Sequence, residues 1–221
     1  MRRLFIIILI TLIPSTVKAV EVHLGVGLSG YGIECTKPEE AYKIRAKRKI
    51  QAFLGVYKPK VIQENLDRII LCGDLTLYSL TWARGTYNLN QKTIWIEADS
   101  HNDALYMLHH EFSSILFLNF KKRNIRGWLD FTRKWSSFNK EDYIRNWRLI
   151  KKNNKIDASL RDKGFLYPYS QQSLEDDFNV MSGYHLPNID YYNQLNKKAR
   201  EHYPINQKFL LLMDFYKGML R

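Results

Sequence analysis

The chain has few cysteines and, beyond its N-terminal region, no long apolar run. These two features bear on whether it is a cysteine-based metal-binding protein and whether it spans a membrane. Its 221 residues include two cysteines, Cys35 and Cys72, and a pair so far apart does not form a metal-binding pattern. After the N-terminal region, no segment is apolar over the about 20 residues that a transmembrane helix needs. Internal repeats and low-complexity segments are also missing, and the composition is that of a folded protein.

The first nineteen residues carry the three parts of a cleavable export signal. Two arginines follow the first methionine, residues 4–13 form an apolar run, and Val17 and Ala19 place small residues at the −3 and −1 positions of a cleavage site. The run is too short for a comfortable permanent transmembrane helix. We therefore predict a signal peptide over residues 1–19 and an exported protein, either periplasmic or secreted. The alternative interpretation is an uncleaved membrane anchor.

Basic residues outnumber acidic ones. The 34 Lys and Arg against 22 Asp and Glu give a formal charge of +12, which falls to +9 when the three basic residues of the signal are removed. A basic exported domain can be attracted to an anionic cell-envelope surface. The basic residues are spread along the chain, however, which favours plain solubility over one dedicated patch. No nucleic-acid-binding motif accompanies the charge, so no nucleic-acid partner is predicted.

The remaining residues, 20–221, are enough for one domain with a substantial core. Strands are predicted at residues 68–73 and 93–97 and a helix at 37–53, whereas residues 83–92 are predicted to form a turn and a connector. Helices are predicted from there to the end of the chain, over 100–120, 125–136, 139–152, 173–184, 189–201 and 205–220. The predicted fold class is α+β, with a small N-terminal mixed sheet followed by a mainly helical core. In an oxidising compartment the two cysteines can pair.

The most informative motif is His109-His110-Glu111 in the long helix that follows the strand at 93–97. A His-Glu pair in this position is the first half of the zinc-protease pattern H-E-x-x-H. In that pattern two histidines one turn apart hold zinc, and the glutamate polarises the metal-bound water. The preceding strand, Thr93–Glu97, is expected at the edge of the sheet, where it could hold an extended peptide.

The motif is incomplete, because Ser114 stands at the second histidine position and a hydroxyl is a poor zinc ligand. His109 points about 100° away from His110. It lies on the apolar stripe of the helix, which favours a core histidine with a hydrogen-bond partner. A second group of polar residues, Glu175, Asp176 and Asp177, opens a later helix. An acid there could be a third ligand, or it could simply favour the helix dipole.

In order and spacing, these segments resemble the zincin-like zinc metallopeptidases of bacteria, in the exported type with a degenerate H-E-x-x-H. The matching segments are Ile94–Glu97, His110–Phe112, Gly164-Phe165 with Tyr169-Ser170, and Glu175–Phe178. The resemblance departs at Ser114, and at Asn179-Val180, where the family often has Ala-Glu.

The resemblance implies a zincin-like fold, a zinc cofactor and a hydrolase, with peptidase as the expected class and a peptide or protein as substrate. It assigns His110 as a ligand, Glu111 as the general base, and Glu175 or Asp177 as the acidic ligand, with His109 as the nearest spare imidazole. Tyr169 could donate a hydrogen bond to the developing oxyanion. Two alternatives stay open: a non-catalytic pseudo-peptidase, and a basic envelope-binding protein on the same scaffold.

Overall fold

A computed structural model describes residues 19–25, 28–29, 32–78, 81–98, 104–144, 158–188 and 204–221. Almost all of the predicted signal peptide, the predicted helix at 189–201 and most of the one at 139–152 lie outside these ranges. Residues 139–144, the described part of the latter, are not helical. In the described part of the chain, no helix is long and apolar enough to cross a membrane.

The described strands form two four-stranded sheets. The first sheet has the order β1 (Glu21–Leu24), β4 (Arg68–Cys72), β8 (Thr93–Glu97) and β7 (Gly85–Asn88); its strands are parallel except for β7, which is antiparallel to β8. The second sheet is antiparallel throughout, in the order β2 (Leu28–Ser29), β3 (Ile33–Cys35), β5 (Leu75–Leu77) and β6 (Thr81–Trp82).

The position of β8 differs from the prediction. This strand lies inside the first sheet, between β4 and β7, and all five of its residues are buried. The edge is formed instead by β7, in a segment predicted to be a turn and connector. Thr86 and Tyr87 have high strand propensity, and pairing with β8 outweighs the effect of the neighbouring glycine. A strand covered on both faces is typical of the centre of a sheet.

Seven α-helices are described, and the five that follow residue 103 make up most of the described chain there. The seven are α1 (Glu40–Val56), α2 (Pro59–Asn65), α3 (Ala104–Arg123), α4 (Ile125–Ser137), α5 (Ala158–Arg161), α6 (Leu174–His185) and α7 (Pro204–Tyr216). The α+β class, with a small mixed sheet first and helices after it, is confirmed. Local signals explain two of the helix starts, because Asn124 caps α4 and Ser173 caps α6 through their side-chain oxygens.

Helix α3 is the centre of the domain. It packs against the first sheet and α1 on one side and against α6 on the other, and every residue from Leu108 to Phe117 is buried. Aromatic rings fill the spaces beside it: Phe53 meets Phe112 edge to face, and Phe117 stacks on Phe178. Because α3 has no exposed face over these residues, its polar side chains there must find partners inside the protein.

A disulfide joins the two sheets. Cys35 in β3 is bonded to Cys72 in β4, across a sequence separation of 37 residues. Both cysteines are buried. The pairing that the sequence allowed is therefore present, and it ties the N-terminal segment to a central strand.

Candidate functional site

Three elements converge at the middle of α3: the helix itself, the first turn of α6, and the edge strand β7. The side chain of Glu111 lies directly over Gly85 of β7. A Cβ atom at that glycine would stand 2.8 Å from Glu111 Oε1 and the same distance from the end of Met107. The absence of a side chain at residue 85 is therefore what allows the glutamate to lie against the strand.

Three carboxylates and two tyrosines form what we call the acid–tyrosine cluster: Glu111, Glu175, Asp176, Tyr87 and Tyr169. Tyr87 donates a hydrogen bond of 2.8 Å to Glu175 Oε1. Tyr169 is hydrogen-bonded to Asp176 and is 43 % exposed, so the cluster reaches the surface. Glu175 and Asp176 thus each have a phenol as a partner, and Asp176 also accepts a hydrogen bond of 2.6 Å from Ser173 Oγ.

The electrostatics of the cluster are unusual at Glu111. Burial, together with the nearby carboxylates of Glu175 and Asp176, raises the pKa of Glu111 to about 8. In this arrangement the side chain is mainly protonated at neutral pH. A neutral carboxylic acid donates a hydrogen bond and cannot act as a general base until it loses its proton.

His110 lies beside the cluster. Its Nδ1 atom is 3.5 Å from the hydroxyl of Tyr106, and its ring centre is 6.2 Å from that of Tyr169. Burial lowers the pKa of His110 to about 4, so the imidazole is neutral near pH 7. Neutral imidazole is the form that binds metals, but a site also needs further ligands.

Ser114 stands at the position of the second histidine in the zinc-protease pattern, and its side chain takes part in a hydrogen-bonded link between two helices. Asn179 of α6 donates from Nδ2 to Ser114 Oγ at 2.6 Å, and its Oδ1 accepts from Ser113 Oγ at 2.6 Å. All three side chains are buried. This serine–asparagine bridge joins α3 to α6 one turn beyond His110. The two residue types by which the sequence departs from the metallopeptidase pattern, Ser114 and Asn179, therefore contact each other.

Asp177, predicted as a possible acidic ligand, lies elsewhere. Its Oδ2 accepts hydrogen bonds from Trp135 Nε1 at 2.8 Å and Tyr143 at 3.0 Å, and it forms a buried ion pair of 2.5 Å with Lys208. Lys208 also donates to the carbonyl of Gly164. The carboxylate is fully buried in this second group of polar atoms, and the structure does not bring it together with His110.

His109, predicted as the spare imidazole, is also directed away from the cluster. Its Nδ1 shares a hydrogen bond of 2.9 Å with the hydroxyl of Tyr57, and Phe53 packs edge to face on its ring. Burial lowers its pKa to about 3. These are the surroundings of a neutral core histidine with a hydrogen-bond partner.

A zinc ion does not fit the described residues as the sequence predicts. Among them, no group of three or more His, Cys, Asp or Glu side chains is arranged to hold a metal ion. Of the predicted set, His110 and Glu175 lie near Glu111, whereas Asp177 and His109 have partners of their own. The serine–asparagine bridge uses the position of the missing histidine.

Four residues of the site were not predicted as functional: Gly85, Tyr87, Asp176 and Asn179. The first two lie in the segment taken for a turn and connector, and identifying β7 as an edge strand would have revealed them. Asp176 is one of three consecutive acids, and only the direction in which its side chain points from α6 distinguishes it from the other two. Asn179 was noted as a departure from the family pattern, and its pairing with the two serines depends on how α3 and α6 pack.

Comparison with known proteins gives a fold but no family. No family model and no curated protein match the chain. Among solved structures, one from Bacteroides caccae ATCC 43185, provisionally described as a zinc-binding metallo-peptidase, is similar with a TM-score of 0.51 and 16 % identity, over 91 % of this chain and 80 % of that one. The chain therefore has a metallopeptidase-like fold. At this identity the similarity extends to the fold alone.

Proposed function

We propose that this protein is an exported, non-catalytic relative of the metallopeptidases, a pseudo-peptidase that binds an extended peptide or protein segment beside the acid–tyrosine cluster. The observation that carries the proposal is the serine–asparagine bridge. It fills the second ligand position with a buried hydrogen-bonded link, so that this position offers no nitrogen ligand to a catalytic zinc ion.

The peptide is proposed to bind along β7. The amide of Glu97 donates to the carbonyl of Arg84 at 2.9 Å. Because inward and outward hydrogen-bonding positions alternate along an antiparallel pair, the backbone groups of Gly85 and Tyr87 are turned toward the open edge of the sheet. An added peptide strand would pair with these groups, as in other cases of strand addition.

The acid–tyrosine cluster would then select the side chains of the peptide. Glu175 and Asp176 present carboxylates that accept hydrogen bonds from the neutral hydroxyl groups of Tyr87, Tyr169 and Ser173. A lysine or arginine side chain entering beside Tyr169 would supply the missing positive charge. We therefore expect a preference for extended peptides with a basic residue.

The test uses chain 20–221 and a library of fluorescent extended peptides, with binding measured by anisotropy. Binding should survive Glu111→Gln, which keeps the shape of the side chain. Methylating the backbone nitrogens of the peptide on the edge that faces β7 should abolish binding, whereas methylation on the opposite edge is the matched control. Equal effects of the two methylation patterns would refute pairing with β7.

A second candidate, an exported zinc-dependent peptidase with Glu111 as general base, is favoured by one observation. His110 and Glu111 occur in the right order on a helix beside Glu175. It requires stoichiometric zinc after loading at neutral pH, and loss of peptide cleavage in Glu111→Gln with the fold retained. Metal analysis by mass spectrometry and a cleavage assay on the same peptide library separate the two candidates.

A further inference from the structure

Although basic residues occur along the whole chain, most of its net positive charge falls in one stretch. Residues 41–63 contain seven Lys and Arg and no Asp or Glu. This stretch alone carries +7, against +9 for the whole chain without its predicted signal. It includes nearly all of helix α1 and the start of α2.

The structure places three of these seven charges, those of Arg45, Lys47 and Arg48, on the exposed side of α1. Ala46, Ile50 and Phe53 face the core, and Arg45 and Lys47 are exposed. The other exposed charge of this face, Arg48, lies about 200° around the helix from Ala46. The acids of α1 are confined to its start, where Glu40 pairs with Lys43. Beyond that first turn α1 carries basic residues and no acidic one.

An apolar side chain stands in the middle of this surface. Ile44 is 55 % exposed and lies one turn before Arg48. The next residue, Arg45, places its guanidinium 5.5 Å from the ring centre of the half-buried Tyr42. A helix with cations around an exposed aliphatic residue suits the boundary between lipid headgroups and acyl chains, where the apolar group can enter and the cations meet phosphate. A hydrated polyanion offers no place for the isoleucine.

We propose that the exposed face of α1, formed by Ile44, Arg45, Lys47 and Arg48, docks on an anionic phospholipid surface. We call it the basic face. Lys58 and Lys60 continue the positive charge past the end of the helix. Complementary charge supplies the attraction, which for cations near an anionic membrane is about fivefold in affinity for each.

The basic face is separate from the proposed peptide site. Helix α1 packs on α3 through Phe53, which contacts His109 and Phe112. The acid–tyrosine cluster lies where α3 meets α6 and β7. Docking on lipid would therefore leave the cluster uncovered by α1, and the inference does not depend on whether the protein binds or cleaves peptides.

The test measures co-sedimentation of chain 20–221 with phosphatidylcholine vesicles, with and without about one third phosphatidylglycerol. We compare the triple variant Arg45→Gln, Lys47→Gln, Arg48→Gln with a matched control that removes three exposed charges elsewhere. The control is Lys122→Gln, Arg126→Gln, Lys134→Gln, on α3 and α4. Circular dichroism checks that both variants are folded.

The expected result is binding only to the anionic vesicles, reduced on the order of 100-fold by the α1 variant and much less by the control. Ile44→Ser should weaken vesicle binding without altering binding to heparin, which has charge but no acyl layer. Equal losses in the two triple variants would overturn the proposal in favour of net charge alone. Heparin binding that exceeds vesicle binding, with Ile44→Ser silent in both, would assign the face to a polyanion instead.

Discussion

Replacing Lys208 by methionine should destabilise the protein strongly, because it would strand a buried carboxylate. Lys208 and Asp177 are both fully buried, and their contact is 2.5 Å. Burial raises the pKa of Asp177 and lowers that of Lys208, and the contact between them opposes both shifts. Methionine keeps the length and apolar stem of the lysine while it removes the charge and the donor to Gly164.

The magnitude follows from the cost of breaking a buried pair on one side. Removing one partner typically lowers the free energy of unfolding by about 3–5 kcal/mol. In a domain of this size each kcal/mol corresponds to about 2–4 °C, so the melting temperature should fall by roughly 6–20 °C. The double variant Asp177→Asn with Lys208→Met should recover much of the loss, because asparagine can still accept from Trp135 and Tyr143 without carrying a charge.

The assay is urea and thermal unfolding of the two single variants and the double variant, followed by circular dichroism. The matched control is Lys163→Met, since Lys163 pairs with Glu141 at 2.9 Å on the surface, where both side chains are about half exposed. That change should cost at most about 1 kcal/mol. A loss in Lys208→Met no larger than in Lys163→Met would refute the reasoning. Zinc content that depends on Asp177 would restore the metal-ligand interpretation of that residue.

Three further outcomes are expected. The folded-state pKa of Glu111 is raised to about 8, so stability should fall as the pH rises from about 4.5 to 8. Glu111→Gln should remove that fall, roughly 3–4 kcal/mol between pH 5 and pH 8, as measured by urea unfolding at the two pH values. Replacing Cys35 and Cys72 together by serine should lower the free energy of unfolding by about 4 kcal/mol, as reduction of the parent protein should, because the bond closes a 37-residue loop. Ser114→His combined with Asn179→Ala should add a zinc-dependent rise in melting temperature that neither single variant shows, and a similar rise in the parent protein would contradict the assignment of the bridge.

Sequence signals that act over a few residues were enough to predict individual helices. The apolar spacing of α3 and the serine cap of α6 were sufficient because both act within a few residues. Strand order depends on pairing between distant segments, so alternation in β8 could not show whether that strand was central or at an edge. The same limit explains β7, whose glycine suggested a turn but in fact makes room for Glu111.

The sequence predicted individual residues of the site but not the contacts between them. His110 and Glu111 were identifiable from their place on one helix, but the partners of the site come from far along the chain. Tyr87 and Glu175 are 88 residues apart, and Ser113 and Asn179 are 66 apart. The sequence also could not show which of the three acids of α6 faces α3. Consecutive helical residues point about 100° apart, so the answer depends on how α6 is rotated about its axis when it packs on α3.

The raised pKa of Glu111 has a physical origin in its burial and in the crowding of acids at the site. Three carboxylates that share a partly buried site need positive charge, protons or hydrogen-bond donors to be tolerated. In a zinc site the cation supplies that compensation and would hold the pKa of a neighbouring glutamate low. With the pKa of Glu111 raised to about 8, a proton on Glu111 and hydrogen bonds from Tyr87, Tyr169 and Ser173 would supply it here. The pH dependence of stability in the parent protein therefore distinguishes the two candidate functions even before a substrate is known, because a resident zinc ion would abolish the loss of stability toward pH 8.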